Sequence, residues 1–206
     1  GFAALMVLNV LKRFDFRAIG HNSFEYVHLL TEAVKLAFRD RDRFLTDPAF
    51  SPVPMDELLG DAHAERLAAS VDMVRALPAS AAPMGGDTAF AAVADGEGNA
   101  ASFIQSLYFE FGSGVADGET GVLLQNRGSF FSLDPGHVNA VEPNKRTFHT
   151  LMPAMACLDG KPALLYGTMG GEGQPQTQTM LFTRIVNYGM DPQEAVNEPR
   201  WVWGRT

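Results

Sequence analysis

A hydroxyl becomes a nucleophile when a base lies within reach, and a threonine at a chain start carries that base in its own α-amine. Thr88 stands where this arrangement could be made. The stretch Leu77-Pro-Ala-Ser-Ala-Ala-Pro-Met-Gly-Gly-Asp87 is rich in Pro, Gly, Ala and Ser and reads as a flexible linker. It runs straight into Thr88, the first residue of an expected core strand. If the bond between Asp87 and Thr88 were cut, the new amine, with an ordinary pKa of about 8, could take the proton of its own hydroxyl. Taken alone, Gly-Gly-Asp-Thr also reads as a plain turn entering a strand.

Two other segments offer polar chemistry. Thr168-Met-Gly-Gly171 follows a strand candidate, and adjacent glycines there can turn N–H groups toward one point, as an oxyanion requires. A loop before the next helix is the plainer reading. Asn144-Lys-Arg-Thr-Phe-His-Thr150 gathers two cations, an imidazole and hydroxyls. Lys145 and Arg146 read as a solvated loop, and His149 reads first as a hydrogen-bonded structural residue. The five histidines show no metal-ligand spacing. The lone Cys157 excludes an internal disulfide and a zinc site built on paired cysteines. Its apolar run from Leu151 to Leu158 predicts a buried, inert thiol.

Periodicity indicates the elements that must position these groups. Apolar spacing predicts a helix over 2–13 and a longer one capped by Asn22 or Ser23 and ending near Asp40. The alternating charges of Arg39 to Arg43 read as a solvated, internally paired helix end. Pro48, Pro52 and Pro54 break regularity, and short helices are expected at Asp56–Leu59 and His63–Ser70. From Thr88 the texture changes to strands. Segments 88–94 and 100–107 form a hairpin around Asp95-Gly-Glu-Gly-Asn99, and 122–124 gives a third strand. Segments 151–158 and 162–166 form another hairpin around Asp159-Gly160. A helix from Thr177 to Tyr188, stopped at Gly189, and a short one from Pro192 to Val196 follow. Helices, then hairpins, then helices give a layered α+β domain.

The 206 residues, 46% hydrophobic and 19% charged, suffice for one sizeable core. A formal net charge of -8 with no basic stripe argues against a general nucleic-acid role. No stretch is long and apolar enough to span a membrane. The run from Gly1 to Leu11 lacks a basic leader, and the first residue is not Met, so the compartment stays open and the chain reads as part of a longer one.

The segments Glu32-Ala-Val-Lys-Leu-Ala-Phe-Arg-Asp-Arg41, Asp47-Pro48, Gly86-Asp-Thr88 and Asp95-Gly-Glu-Gly-Asn99 are followed by Phe111-Gly-Ser-Gly114 and Gly121-Val-Leu-Leu-Gln-Asn126. Pro143-Asn-Lys-Arg146, Met152-Pro153, Thr168-Met-Gly-Gly171 and Ala195-Val-Asn-Glu-Pro-Arg200 complete the series. In this order they resemble the gamma-glutamyltranspeptidase (gamma-glutamyltransferase) family over nearly the whole chain. The resemblance implies an N-terminal-nucleophile hydrolase fold, an αββα sandwich of two sheets between helical layers, here incomplete. Residues 1–87 would be the C-terminal helical part of the large subunit and its linker, and 88–206 most of the small catalytic subunit. It further implies a zymogen that cleaves itself before Thr88, giving a heterodimer of its own fragments. A part of the large subunit outside this chain would supply an arginine for the substrate carboxylate.

By the same resemblance Thr88 is nucleophile and α-amine base, Ser106 supports it, and Gly170 and Gly171 form the oxyanion hole. No metal or organic cofactor is implied. The substrate would be a gamma-glutamyl amide of the glutathione type, and the acceptor water or an amine.

The departures from the family pattern fall on substrate recognition. Arg127 and Phe130 stand where an acidic or amide residue and an aspartate hold the glutamyl amine. His149 and Thr150 replace paired serines, and Tyr108 replaces an asparagine. Arg127 cannot attract an ammonium but suits a carboxylate. This set resembles the branch that includes cephalosporin and glutaryl acylases, which makes an acylase of anionic acyl chains the alternative. An inactive fragment, a non-catalytic subunit or a peptide-binding module is the alternative of another class.

Overall fold

The computed structural model describes residues 1–78 and 86–204. Residues 79–85, most of the linker, and 205–206 lie outside the described residues. Four helices come first: α1 (Phe2–Leu11), α2 (Phe24–Phe44), α3 (Met55–Leu58) and α4 (Asp61–Ala69). Two hairpins follow, β1 (Asp87–Ala94) with β2 (Ala100–Tyr108) and β3 (Ala154–Leu158) with β4 (Lys161–Tyr166). Helices α5 (Gln174–Val186) and α6 (Pro192–Asn197) come last.

Helix α2 begins at Ser23 because its hydroxyl accepts the Tyr26 N–H at 3.1 Å, taking up one of the unpaired donors of the first turn. Its apolar positions are spaced so that Leu29, Leu30, Ala33, Val34 and Ala37 point one way and are buried. They pack with Met6, Val7 and Val10 of α1, Leu67 of α4 and Met180 of α5 in one core. An aromatic group of Phe16, Tyr26 and Tyr188 extends that core, each pair meeting edge to face.

The end of α2 departs from the expected solvated tail. Asp40 and Arg41 are buried, because α4 brings His63 Nε2 to 2.8 Å from Asp40 Oδ2 and a turn near the second hairpin brings Glu172 to Arg41. Lys145 is likewise buried, donating to Val138 O at 3.0 Å and Glu142 Oε1 at 2.9 Å, whereas Arg146 stays exposed.

Helix α5 begins at Gln174, ahead of the expected Thr177, with a proline in its first turn where no amide hydrogen is needed. Its first residues are polar yet buried. Gln174 Oε1 accepts the Met152 N–H at 3.2 Å, Gln178 Nε2 donates to Met152 O at 2.7 Å, and Gln176 Nε2 donates to Trp203 O at 3.0 Å. Gln174 and Gln178 thus pair both backbone groups of Met152, two residues before β3, and Gln176 ties α5 to the C-terminal segment at Trp203.

Each hairpin is an antiparallel pair of its own. They are linked by the Ser102 hydroxyl, which donates to Ala154 O at 2.9 Å. The third strand expected at 122–124 is reduced to one bridge, Ala116 with Leu123. The segment folds back on the residues just before it through a tight turn, with Leu124 N–H on Val115 O and Asp117 N–H on Val122 O, both 2.9 Å. That is too short a return for a ladder. The Cys157 thiol, expected to be buried, is exposed. A bulge between Ala156 and Cys157 and the open face of a two-stranded sheet leave it without cover. Among the described residues no helix is long and apolar enough to cross a membrane.

Candidate active site

The first hairpin is irregular at one place, and Thr88 is in it. Asp87 pairs with Tyr108 and Ala89 with Gln105, so Thr88 alone faces both Ser106 and Leu107, a β-bulge. The backbone around the bulge is strained. Tyr108 has φ +80°, a left-handed conformation that costs a bulky residue about 1–3 kcal/mol. Opposite it, Gly86 has φ +112°, and any Cβ there would lie 2.9 Å from Tyr108 O. Glycine is thus required for the chain to enter the strand so close to its partner.

Within this bulge the Thr88 hydroxyl is buried and has no hydrogen-bond partner among the described residues. An unsatisfied buried hydroxyl is unfavourable by about 1–3 kcal/mol and marks a position held for a reason other than stability. The Ser106 hydroxyl donates to the carbonyl oxygen of Asp87 at 2.6 Å, the carbonyl of the bond that precedes Thr88. Ser106 Oγ in turn accepts from Tyr108 N–H at 2.9 Å and from Arg127 Nη2 at 3.1 Å.

Arg127 is completely buried on a 3-10 turn, Arg127–Phe130. Its Nη1 donates to Ser106 O at 3.2 Å and its Nε to Thr150 Oγ1 at 3.1 Å, with the guanidinium 5.4 Å over the Tyr108 ring. Among the described residues it forms no ion pair with a carboxylate, and burial lowers its pKa. Phe130 lies in an aromatic stack, 4.8 Å from Tyr108 and 4.4 Å from Phe148 between ring centres. Burial also raises the Tyr108 phenol, helped by the charge of Glu172.

The glycine pair lies where the second hairpin returns toward β1. Thr88 and Phe90 share a face of β1, and the Phe90 ring presses on Gly167 so closely that a Cβ there would collide with it. From this contact the chain runs to Gly170 and Gly171, both left-handed at φ +110° and +48°. Glu172 follows at once, and its carboxylate is held by Arg41 of α2, whose guanidinium packs 4.0 Å over the Phe38 ring. Burial raises the Glu172 pKa, and Arg41 opposes that shift. A cleft beside the loop is lined by Arg41, His149, Thr150, Gly171 and Glu172. His149 is exposed there, its Nδ1 accepting the Leu151 N–H at 3.3 Å, and partial burial and Arg127 lower its pKa.

Asp87, Thr88, Ser106, Tyr108, Arg127 and Thr150 are therefore one connected group. His149, Thr150 and Gly171 line one cleft, which Thr88 and Ser106 do not line. Arg41 and Glu172 escaped the sequence reading because charged residues at a helix end and in a glycine loop carry no sign of burial. The directness with which Glu172 follows two glycines was the available signal.

The comparison with protein families matches residues 1–206 to the gamma-glutamyltranspeptidase model. The chain belongs to the gamma-glutamyltranspeptidase family. Within it, the chain is 63% identical to a glutathione hydrolase-like proenzyme of Bacillus subtilis and 44% identical to an oxamate amidohydrolase proenzyme of Klebsiella pneumoniae, each over 206 residues. It spans 39% of the length of both relatives. The crystal structure of a cephalosporin acylase from Bacillus halodurans matches with a TM-score of 0.83 at 36% identity, over 98% of this chain and 37% of that one. The mixed helix-and-strand arrangement is accordingly that of the family's N-terminal-nucleophile hydrolases, of which this chain is a part.

Proposed function

We propose that this chain carries the catalytic centre of a self-processing amidohydrolase, with Thr88 as nucleophile. The observation that carries this reading is a buried Thr88 hydroxyl, without a partner among the described residues, beside a Ser106 hydroxyl seated on the preceding carbonyl. Attack of Thr88 Oγ1 on the Asp87 carbonyl carbon gives an ester, and water opens it to residues 1–87 and 88–206. The two pieces stay together. Tyr26 and Thr183 share a hydrogen bond of 2.9 Å, Tyr188 donates to Ile19 O at 3.0 Å, and Arg41 binds Glu172, all across the cut.

In turnover the freed Thr88 amine takes the hydroxyl proton, directly or through water, and the oxygen attacks the substrate amide. The N–H groups of Gly170 and Gly171 stabilise the oxyanion, about 3 kcal/mol per donor in comparable sites. The amine product leaves, and water or an amine acceptor releases the acyl group. Ser106 supports the amine.

The substrate is an amide whose acyl part bears a carboxylate. The cationic Arg127, buried behind Ser106 with no acidic partner among the described residues, favours negative charge on the acyl side through its field rather than by direct contact. Oxamate and glutathione, named for two of the relatives, both fit that class. With Arg127 and Phe130 in place of an acid, nothing at this position favours a free α-amine, so glutaryl amides rank with or above gamma-glutamyl amides. Tyr108, His149 and Thr150 complete the acyl-side wall. A second reading, hydrolysis or transfer of the gamma-glutamyl group of glutathione, is favoured by the 63% identity to a glutathione hydrolase-like protein.

Intact-mass measurement of the full-length precursor over time, followed by glutaryl and gamma-glutamyl anilide assays, tests both parts. Fragments divided between Asp87 and Thr88 are expected. Much faster turnover of the gamma-glutamyl anilide would reject the acylase preference in favour of the second reading.

A further inference from the structure

Ser106 and Arg127 bear on self-cleavage in a way that the nucleophile assignment does not require. A hydroxyl has one proton to donate and two lone pairs to accept with. Both acceptor positions of Ser106 Oγ are filled, by Tyr108 N–H at 2.9 Å and by Arg127 Nη2 at 3.1 Å. Its proton is thereby directed to the Asp87 carbonyl oxygen, 2.6 Å away. One of the two groups donating to Ser106 is a fully buried cation, which draws electron density from the oxygen and strengthens the donation. Arg127 is itself fixed at three further points: Ser106 O, Thr150 Oγ1 and the Tyr108 ring.

We infer that Ser106, polarised by Arg127, is the oxyanion donor of the cleavage step, separate from the glycine pair that serves turnover. The inference rests on the reading of Thr88 given above. Thr88 Oγ1 bonds to the Asp87 carbon, and the carbonyl π electrons move to oxygen, where the Ser106 proton meets them. The C–N bond then breaks, the hydroxyl proton passes directly or through water to the departing Thr88 nitrogen, and an ester remains. Water hydrolyses the ester to the Asp87 carboxylic acid and the Thr88 hydroxyl. Ser106 touches the reacting atom and is catalytic in this step; Arg127 is a positioning residue acting through it.

The test is the rate of cleavage of the full-length precursor, followed by intact mass. Ser106→Ala is expected to cleave about 100-fold more slowly, the usual effect of losing one oxyanion donor. Arg127→Gln should be slowed about 10-fold, and Arg127→Lys, which keeps the charge, within about threefold of the parent. The double variant Ser106→Ala with Arg127→Gln should cleave no more slowly than Ser106→Ala alone. A merely structural arginine would instead slow the double variant further, and that result overturns the inference, as does a folded Arg127→Gln chain cleaving at the parent rate. Should Arg127→Gln fail to give a cooperative thermal transition, Arg127→Lys decides: cleavage within threefold supports the inference, and cleavage as slow as Ser106→Ala overturns it. A parent chain that never cleaves, or a Thr88→Ala chain that does, rejects the Thr88 reading instead.

Discussion

The helices and the hairpins of this molecule divide stability from chemistry. Helices α1, α2, α4 and α5 bury one another's apolar faces, and nearly every member of the main core belongs to them. The hairpins bury little. Val93 and Phe103 face outward from the first, and Met155 and Leu158 from the second. A two-stranded sheet is marginal by itself; the second hairpin is tied to α5 through Gln174 and Gln178 at Met152, and the first hairpin to the second through Ser102. The groups with chemical potential, Thr88, Ser106 and the glycine pair, all sit on this weaker part. An irregular backbone and the unsatisfied Thr88 hydroxyl are tolerated there because the core elsewhere carries the fold.

The contrast can be broken at several points. Thr88→Ala has the largest expected effect, total loss of cleavage and turnover in a chain that still unfolds cooperatively, read by intact mass and calorimetry. A processed, active variant would remove Thr88 from the chemistry altogether. Glu172→Gln should cost up to about 3 kcal/mol in urea unfolding, since it leaves the buried Arg41 with the exposed Asp42 as its remaining charge partner. Replacing both, Arg41→Met with Glu172→Leu, should recover most of that stability while turnover stays impaired. Full recovery of turnover would separate the glycine loop from α2. Leu29→Ala, at a completely buried core site, should cost about 3 kcal/mol by the same measurement. Val93→Ser, on the open hairpin face, should change stability by no more than about 0.5 kcal/mol. A large loss there would show that the open face is packed against something.

The smallest effect concerns pH. The Arg146 N–H, then the Ala49 N–H, lower the pKa of Asp47 in the folded chain. A depressed carboxyl pKa stabilises the fold fully above its unfolded value of about 4 and loses that contribution as pH falls through the folded value. The melting temperature of Asp47→Asn should therefore approach that of the parent as pH drops from 5 toward 2. Parallel curves would exclude this link between the helical part and the loop at Arg146.

The helical part was largely legible in the sequence, because its stabilising pattern is apolar spacing. Ser23 announced the start of α2, and its side chain does cap. The hairpin positions were legible from Asp95-Gly-Glu-Gly-Asn99 and Asp159-Gly160. What escaped was polar burial. Gln174, Gln176 and Gln178 are buried because their amides meet backbone groups that lie far away in sequence. Arg127 read as a group free to bind substrate, yet in the uncut chain it lies behind Ser106 with most of its donors engaged. Such pairings depend on which loops meet, and spacing within a segment does not encode that. The exposed Cys157 taught the complementary point, that an apolar run promises burial only when something covers its face.

Helix α5 lies downstream of Thr88 but docks on α1 and α2, which lie upstream. While the chain is continuous, that docking is a unimolecular event, favoured by the tether. Once the bond before Thr88 is cut, the same contacts hold two separate polypeptides whose reassembly depends on concentration. Cleavage as proposed would therefore make folding a one-way history: the uncut chain would be the template on which the two pieces learn their fit, and the persistence of the pair would rest on slow unfolding rather than on easy refolding.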